Sequence, residues 1–397
     1  MRALRLVALA ALLAPALAAQ TVPPRGADAT FDVASWNLEF FGVPSQGPSD
    51  AVQLSNVIAV MEQAEIDLWA LQEVVDTDEW QQLLQALQDD GYAGRLGPSV
   101  SSSSTFDQKL AFVYDRDVVQ VVRTQTILSS YDYEFAGRLP FEMQARVTAG
   151  GETRTIYVIN VHAKASTDAE SYERRVAAAA ALKDYIDDRA ARGDEVVLLG
   201  DYNDYLLRST RAGQTSPYRA FVEDAGYVAA TRPLEEAGVP TYCTNASCTS
   251  GSTRDHLLFT AGLADVYVTD SGDRYAELLT SVPNYPTSTS DHLPVLAQFS
   301  FLTTDAASGP DAVAVLLDPA PSPFRGRTRL RFRLAAAADV RLEVFDVLGR
   351  RVASLAGAFG DGEHAVPLDG AALAPGLYVV RLEAAGEVRT RQLVRAE

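Results

Sequence analysis

Lysine is almost missing from this 397-residue chain: Lys109, Lys164 and Lys183 are the only three. With 34 basic against 52 acidic residues the formal charge is −18. A body of that sign repels polyanions, which argues against tight, passive binding of nucleic acid. A bound divalent cation inverts the field locally, so an enzyme that needs only brief contact with such a polymer stays open. The charge is also uneven. From Ala312 onward twelve arginines face ten carboxylates, near +2, while the remainder carries 22 basic and 42 acidic residues, near −20.

Cysteine is scarcer still. Cys243 and Cys248 sit in the loop-like Tyr-Cys-Thr-Asn-Ala-Ser-Cys-Thr. With no further thiolate a cysteine metal cage is disfavoured, and a small local disulfide in an oxidising compartment is the reading. Asn245-Ala246-Ser247 fits the short acceptor pattern for N-glycosylation. Long apolar runs are absent after the opening stretch, so no later segment can span a bilayer as a helix. That opening has Arg2 and Arg5, an apolar run from Leu6 to Leu13, and Ala16-Leu17-Ala18-Ala19. It reads as a secretory signal peptide over residues 1–19, which implies export.

What is present points to more than one domain, since the length exceeds one ordinary core. The run Val196-Val197-Leu198-Leu199 reads as a buried strand that ends at Gly200 and delivers Asp201, Asn203 and Asp204 to a sheet edge. On an extended segment Asp201 and Asn203 would face one ligand, a carboxylate to take a water's proton and an amide to hold that water. A plain Gly-Asp-x-Asn turn is the alternative.

The same pattern recurs along the chain. A strand from Ala29 stops at Trp36-Asn37-Leu38-Glu39, and one from Ile66 hands off Gln72-Glu73; helical spacing runs from Asp50 to Glu65 and from Glu79 to Gln88. The serine-rich run from Ser99 to Ser104 reads as a surface loop. Strands follow at Lys109 to Tyr114, Val118 to Val122, Phe141 to Val147 and Thr155 to Val161, the last ending in His162-Ala163-Lys164. An amphipathic helix from Ala169 to Arg189 precedes the central strand, and Val295 to Phe301 closes the region.

Histidine is rare as well, with four in all, and three of them lie where predicted strands end: His162, His256 and His292. Asn160, Asp255 and Asp291 stand beside them. An imidazole next to a carboxylate can be oriented, and its charged form stabilised, for acid–base work near neutral pH.

Seven short motifs now stand in a known order: Trp36-Asn37-x-Glu39, Gln72-Glu73, Arg138-x-Pro140, Asn160-x-His162-x-Lys164, Gly200-Asp201-x-Asn203-Asp204, Asp255-His256 and Ser290-Asp291-His292-x-Pro294. From Ala29 to Phe301 the chain resembles the endonuclease/exonuclease/phosphatase superfamily, in particular its secreted bacterial members related to pancreatic-type deoxyribonuclease, abasic-site endonuclease and sphingomyelinase. The resemblance implies a deoxyribonuclease I-like, four-layered αββα sandwich of the α/β class over residues 25–301. It implies Glu73 as principal metal ligand with Asn37, Glu39 and Asp291 near the metal, Asp201 acting on the water, and Asn203 on the phosphoryl oxygens. It further implies His292, aligned by Asp255, as base or transition-state stabiliser, His162 as helper of the leaving group, and Arg138, Asn160 and Lys164 toward phosphate. Hard oxygen ligands suit Mg²⁺ or Mn²⁺, with Ca²⁺ as an alternative. His256 stands where many relatives carry an aromatic residue, so its membership of the site is doubtful. Gln72 reads as a brace.

Residues 302–315, with Ala306-Ala307-Ser308-Gly309-Pro310, read as a linker. Beyond it, Thr328 to Leu334, Val340 to Phe345, His364 to Leu368, Gly376 to Leu382 and Val388 to Val394 alternate as strands of a small all-β sandwich. Pro321-Ser322-Pro323-Phe324, Asp346-Val347-Leu348-Gly349-Arg350-Arg351-Val352 and Leu373-Ala374-Pro375-Gly376-Leu377-Tyr378 resemble the C-terminal sorting domain of type IX secretion, placed at residues 316–397. The expectation is a monomeric, secreted or surface-held, divalent-metal-dependent phosphodiesterase, a nuclease acting on extracellular DNA or RNA. A phospholipid phosphodiesterase of sphingomyelinase type, a phosphatase, and a catalytically idle adhesion protein are the alternatives.

Overall fold

The computed structural model describes residues 21–27, 29–99, 106–301, 314–320, 324–346, 350–370, 373–384 and 387–396. The expected signal peptide, the serines from Ser101 to Ser104, residues 302–313 of the expected linker, and the tail segments Pro321-Ser322-Pro323 and Val347-Leu348-Gly349 lie outside the described residues. The chain divides into two compact units, one of the residues up to Phe299 apart from 150–152, the other of residues 150–152 and those from Ser300 onward. No helix among the described residues is long and apolar enough to cross a membrane.

The first unit runs β1 (Phe31–Phe41), α1 (Asp50–Ala64), β2 (Leu68–Val74), α2 (Thr77–Leu87), β3 (Tyr92–Leu96), β4 (Lys109–Asp115), β5 (Val119–Thr126), β6 (Phe141–Ala149) and β7 (Glu152–His162). It continues with α3 (Ala169–Ala190), β8 (Glu195–Asp201), β9 (Tyr227–Ala229), β10 (Tyr242–Cys243), β11 (Gly251–Ser252), β12 (Asp255–Thr260), β13 (Asp273–Arg274) and β14 (Val295–Phe299). Two six-stranded sheets result, in the orders β13-β14-β1-β2-β4-β3 and β5-β6-β7-β8-β12-β9. Strand β1 lies against β8 and β12 of the other sheet.

Alternation along each strand decides what faces what. Ala34, Trp36 and Leu38 of β1 and Trp69 and Leu71 of β2 form one core with Val57, Val60 and Met61 of α1 and Trp80 and Leu83 of α2. Tyr157, Ile159 and Val161 of β7 and Val196 and Leu198 of β8 form another with Ala178, Leu182 and Ile186 of α3. The helices thus cover the outer faces, giving helix, sheet, sheet, helix. Each fully buried Val, Leu, Ile or Met among them contributes roughly 1.5–3 kcal/mol. The intervening residues, Val33, Ser35, Asn37, Ala70, Gln72, Val158, Asn160, His162, Val197, Leu199 and Asp201, are all buried and face the other sheet.

Helix ends follow their capping chemistry. Asp76 accepts from the Asp78 and Glu79 N–H groups, so α2 starts two residues before the predicted Glu79; Asp168 caps α3 at Ser171 N–H. Strand β3 was not foreseen, because Gly94 and Arg95 break its apolar pattern.

Close approach of β7 and β8 explains Gly200. Its φ is +148°, and a Cβ there would meet Val161 O at 2.0 Å. Just beyond, Arg175 of α3 is fully buried and donates from Nε to Asp204 Oδ2 at 3.0 Å and from one terminal nitrogen to Lys164 O and Ser166 O at 2.8 and 2.7 Å. One cation therefore ties the loop after His162 to the loop after Asp201.

The second unit contains β15 (Ala314–Ala320), β16 (Arg327–Leu334), β17 (Ala338–Asp346), β18 (Arg351–Phe359), β19 (Gly362–Asp369), β20 (Gly376–Ala384) and β21 (Glu387–Arg395), in sheets ordered β15-β16-β19 and β18-β17-β20-β21. Strand β16 alternates cleanly, with Thr328, Leu330, Phe332 and Leu334 buried and the arginines between them exposed. Strand β15 begins at Ala314, inside the stretch read as linker, and β18 carries too little alternation to have been foreseen.

Replacing Arg175 by Met leaves Asp204 buried without its counter-charge. It should lower unfolding free energy by about 3–5 kcal/mol, read by urea denaturation; a loss under ~1 kcal/mol would mean that solvent already compensates the pair.

Candidate active site at the shared sheet edge

Strand direction brings the motif residues together. Strands β1 and β2 run parallel, as do β7 and β8, while β14 is antiparallel to β1 and β12 to β8. The ends of β1, β2, β7 and β8 and the starts of β12 and β14 therefore share an edge in their sheets. Register sets Asp255 directly opposite Asp201 and His162 beside it. The two edges meet through Asn37, whose Nδ2 donates to Glu73 Oε1 at 3.1 Å and to Asp201 Oδ2 at 3.0 Å.

Asp201 is 2% exposed. Its Oδ1 accepts from Asn203 N–H at 2.8 Å and its Oδ2 from Asn203 Nδ2 at 3.2 Å. Burial alone would disfavour its charge, but the His292 ring and the Asn203 N–H outweigh it and hold the carboxyl below its ordinary value. His292 donates from Nδ1 to Asp255 Oδ2 at 2.8 Å and turns Nε2 toward Asp201 at 3.9 Å. Burial opposes protonation of His292 too, yet Asp255, Asp201 and Asp291 together raise it well above the usual imidazole range. His162 is the opposite case. Burial, and then the charge of Arg138, hold it far below, so this imidazole is neutral; its Nε2 lies 3.6 Å from both Glu73 Oε1 and Asp201 Oδ2.

A second group of carboxylates flanks this one. Glu73 Oε2 accepts from Phe40 N–H at 3.0 Å, and Glu39 Oε2 accepts from Asp291 N–H at 2.9 Å. Burial, followed by the charge of Asp291, pushes the Glu39 carboxyl up to about 8, and burial raises Glu73 and Asp291 as well. Three crowded carboxylates, each disfavoured as an anion, form the donor set that a hard divalent cation relieves, so the residues fit such an ion. Backbone conformation tells the same story: Glu39, Phe40, Glu73 and Asn203 all have positive φ, between 47° and 61°, a costly geometry for non-glycine residues that clusters here. The ligand atoms of Asp201, Asp255 and His292 also come within 4.8 Å of one another and could hold a metal, but there the His292 Nδ1 and Asp255 Oδ2 are already joined by a hydrogen bond.

Several expected members take other places. Asn160 is fully buried; its Nδ2 donates to Leu71 O and Ala111 O at 2.9 and 3.0 Å and its Oδ1 accepts from Gln72 Nε2 at 2.8 Å, so it locks the sheets together. Asn37 points its Nδ2 at Glu73 and Asp201, which orders both carboxylates, and its Oδ1 accepts from Glu39 N–H at 2.9 Å. Asn203, left-handed and not extended, spends its amide on Asp201 and on Ala163 O at 3.1 Å. Arg138 donates to His162 O, Ala163 O and Gln108 Oε1, and Lys164 to Ala165 O. Arg138 therefore ties the end of β7 and the residue after it to Gln108, while Lys164 reaches the carbonyl of its own neighbour. His256, one residue from Asp255, faces the opposite side of β12, where Thr231 Oγ1 and Asp204 O contact its ring nitrogens and burial lowers it to about 4. Cys243 and Cys248 form the expected disulfide.

Other contributors were not foreseen. Gln53 of α1 donates to Leu38 O, Glu39 O and Thr289 O, tying the two carboxylate-bearing segments together. Thr241 Oγ1 donates to Asp255 Oδ2 at 2.7 Å and receives the Arg254 and Asp255 N–H groups, which fixes the partner of His292. The sequence signal for Gln53 was a polar residue on the apolar stripe of a helix; Thr241 gave none.

A profile of the Endonuclease/Exonuclease/phosphatase family matches residues 34–292. The chain belongs to that family. Its members are phosphoric ester hydrolases that use divalent metals, and this protein is likewise a phosphoric ester hydrolase. The solved structure of an endonuclease/exonuclease/phosphatase from Beutenbergia cavernae is 19% identical, with a TM-score of 0.51, over 92% of this chain and 100% of that one. A 3′-5′ exonuclease from Neisseria meningitidis is 20% identical, with a TM-score of 0.51, over 68% and 100%. A 3′ phosphatase from Neisseria bound to a product DNA hairpin is 19% identical, with a TM-score of 0.50, over 68% and 99%. These likenesses share the α/β sandwich fold. Among curated proteins no match is found. Residues 320–396 match the secretion system C-terminal sorting domain, which marks the chain for export by the type IX route to the cell surface or beyond.

If Asn160 is a brace, Asn160→Ala leaves the Gln72 amide and two strand carbonyls without partners, at roughly 1–3 kcal/mol for each group. Thermal unfolding should then shift down by several degrees while KM for substrate changes little; a raised KM at unchanged melting temperature would restore the phosphate-contact role.

Proposed function

We propose that this enzyme is a secreted, Mg²⁺- or Mn²⁺-dependent phosphodiesterase, a nuclease that hydrolyses extracellular DNA or RNA by in-line attack of a water molecule. The observation that carries the reading is geometric: two buried imidazoles converge on one buried carboxylate, with His162 Nε2 3.6 Å and His292 Nε2 3.9 Å from Asp201 Oδ2, beside the crowded carboxylates of Glu39, Glu73 and Asp291.

A phosphodiester resists attack because it is anionic. A catalyst must take a proton from water, offset the charge that builds on phosphorus, and assist the departing oxygen. Asp201, kept ionised and fixed by Asn203 and Asn37, accepts the water's proton. His292, kept cationic by Asp255 and aligned through Thr241, puts positive charge beside the pentacovalent phosphorus. His162, neutral, offers an N–H toward the leaving oxygen. Glu73, Glu39 and Asp291 would hold the divalent ion, which supplies Lewis-acid neutralisation of phosphate charge when bound. Arg138 braces the end of the strand that carries His162, donating to His162 O and Ala163 O. The N-terminal signal peptide and the C-terminal sorting domain then deliver the enzyme outside the cell.

Purified enzyme with Mg²⁺ or Mn²⁺ should nick plasmid DNA or RNA and lose activity reversibly with chelator. Asp201→Asn and His292→Ala should each cost at least ~10²-fold in rate without unfolding the protein. Turnover of a generic phosphomonoester with nucleic acid left intact would reverse the reading to a phosphatase.

A further inference from the structure

The wall of the site beside His292 is a short hairpin that holds a cation for which the chemistry above has no use. Strands β10 and β11 pair Tyr242 with Ser252 and Cys243 with Gly251, and the Cys243–Cys248 disulfide closes the turn. Backbone bonds pin this hairpin to the segment carrying His292: Cys243 N–H donates to Asp291 O at 2.7 Å, and Leu293 N–H to Thr241 O at 2.8 Å. Tyr242 is fixed by this with its ring centre 5.1 Å from that of His292. Over the same tyrosine ring, 4.2 Å from its centre, lies the guanidinium of Arg254.

Arg254 is held but not spent. Its Nε donates to Ser252 Oγ at 2.7 Å, while its two terminal nitrogens have no hydrogen bond and no carboxylate partner among the described residues. Arg25, Arg154, Arg175 and Arg189 of the same unit, by contrast, each pair with carboxylates. The charge of Arg254 nonetheless bears on the site, favouring the ionised forms of Asp201 and Asp291 against the burial that opposes them. A guanidinium immobilised by stacking and by one bond at Nε presents its outer edge to a phosphate as a two-pronged donor at little entropic cost.

We propose that Arg254, stacked on Tyr242, is a specificity-determining residue that binds a phosphate neighbouring the one being cleaved, which makes an oligo- or polynucleotide the substrate class. This rests on the phosphodiesterase reading above. The reacting phosphate is already served by Asp201, His162 and His292, and Arg254 stands one ring removed from His292. A chain of repeating phosphates carries negative charge at that place. A phosphomonoester carries none, and a phosphocholine headgroup would bring a quaternary ammonium toward a guanidinium, which repels it. The pair also answers the composition: an enzyme whose body repels polyanions needs a local cation and an aromatic face where the substrate enters.

The test compares kcat/KM of the full chain with Mg²⁺ on a short single-stranded oligodeoxynucleotide and on bis(p-nitrophenyl) phosphate, a diester without a neighbouring phosphate. Arg254→Gln should lower the ratio of the two roughly 10- to 100-fold, mainly through KM for the oligonucleotide, and Arg254→Lys should recover part of it. The dependence of log KM on log salt should flatten by about one counter-ion. Because both substrates are read on the same preparation, partial misfolding cancels from the ratio. An unchanged ratio in Arg254→Gln would overturn the proposal, as would a wild-type enzyme that splits the small diester and spares the oligonucleotide; in both cases the phosphodiesterase reading stands. A wild-type enzyme inert toward both substrates would overturn that reading and this one with it.

Discussion

The antiparallel register of β8 with β12 places Asp255 across from Asp201, and the parallel register of β8 with β7 places His162 beside it. Side chains alternate with a period of two, so a slip of one residue in either pairing would turn a carboxylate or the imidazole to the helix-covered face. His256 shows what that face offers: full burial and contacts with Thr231 and Asp204 O, with no access to the site. The register is itself secured by Gly200, where any side chain would strike Val161 O, and by the Arg175–Asp204 pair that binds the two following loops.

Gathering carboxylates at a dry edge is costly, and the structure offsets the cost in two different ways. Around Asp201 the compensation is internal: Asn37, Asn203 and a protonated His292 surround it, and the charge persists despite burial. Around Glu39, Glu73 and Asp291 the chain supplies too little compensation, and all three carboxyls are pushed upward. We read this asymmetry as a proposed division of work, in which Asp201, kept ionised by its surroundings, would act on the water, while the trio left disfavoured as anions would be the receptor for a metal ion. Positive φ at Glu39, Phe40, Glu73 and Asn203 shows that backbone strain is accepted to hold both arrangements.

Much of this was legible in the amino-acid order because the chemistry sits at strand ends, where an apolar run stops abruptly at a polar residue. Glu73, His162, Asp201, Asp255 and His292 announce themselves in that way, and the structure brings them to one place. What escaped was set by tertiary contact. Thr241 and Gln53 matter through hydrogen bonds to residues far along the chain, which local pattern marks faintly or not at all. The amides of Asn160 and Asn37 also bridge the two sheets, a use that their motifs do not announce. Asn203 was read as extended and is left-handed, because Asp201 accepts its backbone N–H and curls the segment. Strands β3, β15 and β18 lack the alternation that made β16 plain, and only pairing with their neighbours defines them.

We propose a division of labour at this edge, in which the Glu39, Glu73 and Asp291 carboxylates would receive the cation, while Asp201, Asp255 and His292 would handle the proton and the developing charge. Anomalous diffraction from crystals soaked in Mn²⁺ tests that division most directly. The expected result is a peak bounded by the carboxylates of Glu39, Glu73 and Asp291 with the His292–Asp255 hydrogen bond intact. A peak seated among Asp201, Asp255 and His292, with that bond broken and the three glutamate and aspartate carboxylates left bare, would contradict it.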